Sequence, residues 1–126
     1  MIQLDFLIDP VAKGRPRFAR GRAYTPKKTH DFERQVKSMA REQYRNGPMA
    51  GPLKVVVEIY IKRPKSVSEK KRPYPVVKPD VDNLVKSVLD PLNGVIYVDD
   101  SQIIELSVVK LYSQIGSIGV KIMSYP

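Results

Sequence analysis

The chain has no cysteine and a single histidine, His30. Without thiols, disulfides, thiolate zinc sites and cysteine nucleophiles are all excluded. One histidine cannot assemble a multi-histidine metal site or an HNH-type nuclease centre, and His30, set among Lys28, Asp31 and Glu33, reads as a surface residue. Long apolar runs are missing too. Nothing approaches the ~20 residues that span a membrane, and no signal-peptide pattern opens the chain, so no membrane partner and a reducing cytoplasm are expected. Internal repeats and low-complexity linkers are also lacking.

What the chain has in excess is positive charge: 22 Lys and Arg against 13 Asp and Glu, for a formal net charge of +9. That balance speaks about partners rather than fold, and it implies a polyanion such as nucleic acid or an acidic membrane surface. The length of 126 residues suits one domain spanning 1–126, and 42% apolar residues suffice for one ordinary core. A chain of this size buries roughly two thirds of its unfolded surface, so it can fold alone, although a dimer would bury more.

Apolar periodicity gives the elements. Ile2, Leu4, Phe6 and Ile8 alternate with polar positions, as in a half-buried strand that Pro10 ends. Residues 11–24, with two glycines, a proline and many charges, read as a loop. Thr25-Pro26 reads as a helix start, with Thr25 as N-cap and Pro26 in the first helical position. Phe32, Val36, Met39, Ala40 and Tyr44 then recur at helical spacing until Asn46-Gly47-Pro48. Leu53, Val55, Val57, Ile59 and Ile61 mark the clearest strand, and 63–79 follows as a long Pro- and Lys-rich loop. Loops of that length are usually functional or disordered.

Residues 82–93 read as a second helix with Leu84, Val85, Val88, Leu89 and Leu92 on one stripe and Asp82, Lys86 and Asp90 on another. Pro91 has no N–H and crowds the carbonyl of Ser87, so a kink or a last tight turn is expected before Gly94 closes the helix. Val95–Val98 reads as a short extended run and Asp99-Asp100 as a turn. A strand over 102–112 turns Ile104, Leu106 and Val108 to the core, and 118–123 pairs as the last strand. Tyr97, Tyr112 and Tyr125 read as core or edge residues. The expected fold is α+β, a small mixed sheet with helices on one face in the order β-α-β-α-β-β.

Six of the 13 acidic residues lie between Asp80 and Glu105, in a chain that is otherwise basic. Asp80 and Asp82 are two apart at a helix mouth, where an extended backbone points both side chains the same way. The strand after Asp100 can return along the sheet to bring a third carboxylate beside them. Oxygen ligands without histidine or cysteine select Mg²⁺ or Mn²⁺ over zinc. Each aspartate also has a plainer role open to it: Asp82 as N-cap, Asp80 as turn former, Asp99-Asp100 as punctuation between strands. An acidic patch in a DNA-binding chain would weaken binding unless a metal bridged it to phosphate, and this favours the metal site. Lys86, one helical turn after Asp82, forms an i,i+4 pair worth only ~0.2–0.5 kcal/mol, or neutralises charge developing on a scissile phosphate.

Lys13, Arg15, Arg17, Arg20, Arg22, Lys27 and Lys28 form one basic segment with Phe18 and Tyr24 interleaved. Lys62, Arg63, Lys65, Lys70, Lys71, Arg72 and Lys78 form another, broken only by Glu69. Arginine forks suit phosphate and aromatic rings stack on unpaired bases. Two such loops beside an acidic pocket read as a DNA-tracking groove. No helix has the look of a sequence-reading helix, so recognition through backbone and shape is expected.

From Lys78 to Ile103, KPDVDNLVKSVLDPLNGVIYVDDSQI resembles the signature of the RusA family of Holliday-junction resolvases. KGRPRF and GRAYTP, between Lys13 and Pro26, are similar to that family's amino-terminal segment. The resemblance covers most of the chain. It implies a small α+β homodimer that binds four-way junctions and makes paired, symmetric incisions with Mg²⁺. It also implies Asp80, Asp82 and Asp100 as metal-binding aspartates and Lys86 as the essential lysine. Asp90 and Asp99 match acidic positions of the motif without an assigned role, and members often occur in prophages. Pro91 departs from the family, which more often has alanine there. Two other functions stay open: a branched-DNA-binding protein without enzymatic activity, and a broader metal-dependent nuclease for flaps or RNA.

Overall fold

A computed structural model describes residues 1–14, 17–24 and 26–126, with only the backbone at 17–19, 23 and 24. A four-stranded mixed sheet carries the molecule. Its strands are β1 (Ile2–Phe6), β4 (Leu53–Lys62), β5 (Ile103–Ser113) and β6 (Ser117–Ser124), in the spatial order β1-β6-β4-β5. Strand β6 runs antiparallel to both β1 and β4, whereas β4 and β5 are parallel. A parallel pair needs a crossover connection. Here that crossover holds the acidic motif, in helix α2 (Val81–Leu89).

Alternation writes β4 into the middle of this sheet. Leu53, Val55, Val57 and Ile59 are fully buried and the residues between them half-buried, as a two-residue period requires of a strand with a neighbour on each side. Helix α1 (Lys27–Gln43) contributes Phe32, Val36 and Ala40 to the same core, and α2 contributes Leu84, Val88 and Leu89. Both helices thus cover one face of the sheet, and the α+β expectation holds. Each such aliphatic side chain contributes roughly 1.5–3 kcal/mol by leaving water. Pro26 is the N-cap residue of α1 rather than its first helical residue, and the expected Thr25 cap lies outside the described residues.

Two local expectations need correction, at 11–24 and 95–98, and the tight turn expected at Pro91 is present. The segment 11–24 is not all loop, because β2 (Arg17–Ala19) and β3 (Arg22–Tyr24) pair as an antiparallel hairpin around Arg20-Gly21. The second helix stops as an α-helix at Leu89 and finishes as a 3₁₀ turn over Asp90–Leu92, the tight turn that Pro91's missing N–H calls for. Val95–Val98 is a turn rather than a strand: the Gly94 N–H donates to the Tyr97 carbonyl at 2.7 Å, with Gly94 at φ 79°. That turn drives the Tyr97 ring into the core, where its hydroxyl donates to the Leu89 carbonyl at 2.7 Å.

The strand β5 departs from expectation in a way that affects the surface. Its register with β4 pairs Val55 with Leu106 and Val57 with Val108, which sets Leu106 and Val108 on the helix side as expected. The register shifts between Leu53 and Lys54, so Ile103 rather than Ile104 pairs with Leu53 and packs against the core. Of the three residues expected to face the core, only Val108 packs against it; Ile104 is 59% exposed and Leu106 42% exposed. β5 is an edge strand, with a strand neighbour on one side only.

Candidate active site

The sequence Lys78-Pro79-Asp80-Val81-Asp82 ends the long 63–79 loop and opens α2. Asp80 is the N-cap residue, with φ −72° and ψ 152°, yet its side chain accepts no capping hydrogen bond. Asp82 lies in the first helical turn, where a carboxylate is favoured by the helix dipole. Among the described residues neither side chain enters an ion pair. Both are exposed. A side-chain cap is made by another aspartate, on a separate turn.

That residue is Asp99. Its carboxylate accepts from the Ser101 N–H at 3.0 Å, and the Gln102 side chain accepts from the N–H groups of Asp99 and Val98 at 3.0 and 2.8 Å. The two sides close a capping box on a 3₁₀ turn over Asp100–Gln102. The Gln102 amide then donates to the carbonyls of Met49 and Gly51, which ties this turn to the chain entering β4. The hydrogen bond from Ser101 lowers the Asp99 pKa. An aspartate three residues before a glutamine was the sequence signal for this cap.

With Asp99 committed to backbone, Asp100 is left to face the helix. It meets Asp90, and Asp90 sits 3.5 Å from the Lys86 ammonium, one turn back along α2. Burial pushes the Asp100 carboxyl upward; the Asp99 and Asp90 charges and a hydrogen bond with Asp90 add to this, while Lys86 opposes it. Lys86 itself remains 61% exposed. Asp82, Lys86 and Asp90 occupy successive turns of one helix face, as the four-residue spacing dictates. Among the described residues no three acidic or histidine side chains form a group able to hold a metal ion, so Asp80, Asp82 and Asp100 do not make a ready-made cage. The donor set still suits a hard cation. Mg²⁺ commonly takes only one or two carboxylates and completes its shell with water and substrate phosphate, and the free oxygens of Asp80 and Asp82 are such donors.

Both basic segments run into this end of α2. Residues 11–14 are stitched between the helices: the Ser87 hydroxyl donates to the Val11 carbonyl, the Lys13 N–H to the Asn83 carbonyl at 2.9 Å, and the Gly14 N–H to the Thr29 hydroxyl at 3.0 Å. A Cβ on Gly14 would lie 2.8 Å from the Pro26 ring, so only glycine permits this approach. The β2–β3 hairpin rises from that base with Arg20 and Arg22 exposed, and Lys27 and Lys28 are exposed at the start of α1. Arg15 and the Arg17 side chain lie outside the described residues. The second segment reaches α2 directly through Lys78, and its end is held down by Lys110, which donates to the Val77 and Pro79 carbonyls at 2.9 Å each.

The cations of that loop divide by role. Arg63 donates to the Arg72 and Pro73 carbonyls and stacks 4.3 Å above the Tyr112 ring, so it braces the loop. Arg72 is half-buried, whereas Lys62, Lys65, Lys70, Lys71 and Lys78 are exposed. Two pairings of Lys13 escaped sequence reasoning. Glu33 of α1 lies 2.7 Å from the Lys13 ammonium, and Asp90 lies 3.1 Å from it. No local pattern announces pairs made across 20 and 77 positions of chain.

Comparison with known proteins agrees with this arrangement. The chain is 40% identical to the uncharacterized protein YqaN of Bacillus subtilis (strain 168), over 84% of each chain. The family model described as endodeoxyribonuclease RusA matches residues 8–123, from just after β1 through nearly all of β6. That span takes in both basic segments and every aspartate of the acidic cluster, and the chain accordingly belongs to the RusA family of endodeoxyribonucleases.

Proposed function

We propose that this enzyme is a Mg²⁺-dependent resolvase of four-way DNA junctions, acting in the cytoplasm as a homodimer that makes paired, symmetric incisions. The observation that carries the reading is the exposure of Asp80 and Asp82 at the start of α2 and of Lys86 one turn after Asp82, where both basic segments meet the helix in a chain of the RusA family. Asp80, Asp82 and Asp100 are the residues that would hold Mg²⁺, with Mn²⁺ as a substitute of the same oxygen preference. Bound there, the ion supplies an activated water and a Lewis-acid contact to the phosphate. Lys86, exposed and only loosely paired at 3.5 Å, is free to neutralise charge that develops on the phosphorus. The exposed cations of the hairpin and the 63–79 loop hold the flanking strands through phosphate, which fixes position without reading sequence.

The test compares a labelled four-way junction with a flap, a duplex and single-stranded RNA, each with and without Mg²⁺. Junction cleavage in opposed strands, dependent on metal, is the expected result. Binding that no divalent ion converts to cleavage removes the nuclease, and preferred cutting of flaps or RNA replaces the resolvase with a broader enzyme.

The β5 edge supports the dimer. An 11-residue edge strand with only Glu105 and Lys110 charged, no proline, and Ile104, Leu106 and Val109 exposed lacks the usual protection against strand pairing. A second copy pairing there satisfies the open backbone groups and covers those side chains, and a two-fold axis presents two sites to two opposed strands. Leu106→Glu is expected to convert the dimer to monomer in analytical ultracentrifugation, with the monomer fold retained because Leu106 lies outside the core. An unchanged sedimentation coefficient would remove β5 as the interface.

A further inference from the structure

Among the cations of the amino-terminal segment, Lys13 is placed unlike the rest. Its ammonium lies between two carboxylates, 2.7 Å from Glu33 and 3.1 Å from Asp90, and its side chain is 21% exposed. Its N–H is bonded to the Asn83 carbonyl on α2. Burial works against its charge, but the hydrogen bonds it donates to Glu33 and Asp90, with their charges, outweigh that and raise its pKa. An ammonium held this way has little reach toward a phosphate. Arg20, Arg22, Lys27 and Lys28, all exposed, are the better DNA contacts.

Asp90 is the group that Lys13 serves. Its carboxylate touches Lys13, lies 3.5 Å from Lys86, and carries a charge that acts on Asp100. Among the described residues, removal of Lys13 leaves Lys86 as the one cation in ion-pair range of Asp90. Lys86 would close on it and give up its exposed position, and a less balanced Asp90 would press on Asp100. Glu33 completes the device from α1, holding Lys13 at 2.7 Å.

We propose that Lys13 is a positioning residue of the nuclease site: held by Glu33, it balances Asp90 so that Lys86 stays available to DNA and Asp100 stays available to a metal ion. The proposal rests on the reading of Lys86 and Asp100 as working residues.

The experiment uses the full chain with Lys13→Met, Lys13→Arg and Glu33→Gln. Three readouts are taken: junction affinity without divalent metal, single-turnover cleavage at saturating protein with Mg²⁺, and Mn²⁺ binding by electron paramagnetic resonance without DNA. Loss of a group that orients metal ligands typically costs about 10–100-fold. Lys13→Met is expected to cleave bound junction at least about tenfold more slowly and to bind Mn²⁺ more weakly, with junction affinity within about threefold of wild type. Lys13→Arg should restore most of the rate, and Glu33→Gln should show a smaller loss in the same direction. If Lys13→Met weakens junction binding tenfold while bound junction is cut at the wild-type rate, Lys13 is a phosphate contact and the proposal is overturned; unchanged behaviour overturns it too. Should Lys13→Met fail to fold by thermal melt, Glu33→Gln decides, and wild-type cleavage with wild-type Mn²⁺ binding sinks the idea. A wild-type protein that cuts no junction with either metal refutes the nuclease reading itself, an outcome distinct from these.

Discussion

Asp82→Asn will bind a four-way junction and leave it uncut. The amide keeps the shape of the side chain but loses the negative charge and half the acceptor capacity that a hard cation requires. Groups that merely orient metal ligands cost 10–100-fold when lost, so removal of a ligand itself is expected to lower the cleavage rate by at least about 100-fold. The fold should survive. Asp82 is exposed, makes no ion pair among the described residues, and interacts only with the first-turn dipole of α2, worth about 0.3–1 kcal/mol. DNA affinity should hold or rise slightly, because a negative charge is withdrawn from the surface that meets phosphate. Single-turnover cleavage of labelled junction beside a gel-shift titration separates the two effects. A variant that cuts at the wild-type rate removes Asp82 from the metal site.

The second large effect is on binding and comes from salt. Each phosphate neutralised by Lys or Arg releases condensed counterions, so the logarithm of affinity falls with a slope of about −0.9 per contact. Of the 14 cations in the two basic segments, Lys13 is held by carboxylates and Arg63 by backbone carbonyls. Among the described residues Arg20, Arg22, Lys27, Lys28, Lys62, Lys65, Lys70, Lys71 and Lys78 are exposed and suffice for at least about 6 contacts, and about 6–10 contacts lower affinity by about 10³–10⁵ between 50 and 200 mM salt. The loss should be uniform across junction sequences, since phosphate contacts carry no base information. Fluorescence anisotropy over a potassium chloride series measures it. A slope shallower than about −3 would mean that the two loops do not track the DNA backbone.

Much of the framework was legible before any coordinates. The alternation of Leu53, Val55, Val57 and Ile59 named the central strand, and the stripe of Leu84, Val85, Val88 and Leu89 named the buried side of α2. The same helical spacing put Asp82, Lys86 and Asp90 on one face. Pro91 announced its own tight turn. The β2–β3 hairpin was invisible because its strands are three residues each, too short for a period to register against their charge.

The amino-acid sequence by itself determined the long strands and both helices, the apolar stripes of α1, α2 and β4, and that six acids gather in an otherwise basic chain, because all of these are relations between near neighbours. Only the tertiary structure decided that Asp99 caps a turn while Asp100 faces Asp90, that β5 is an uncovered edge, and that Lys13 belongs to Glu33 and Asp90. Such pairings depend on which elements the topology brings side by side. An ion pair acts over a few ångströms of space, and no periodicity in the chain encodes a partner 77 residues away.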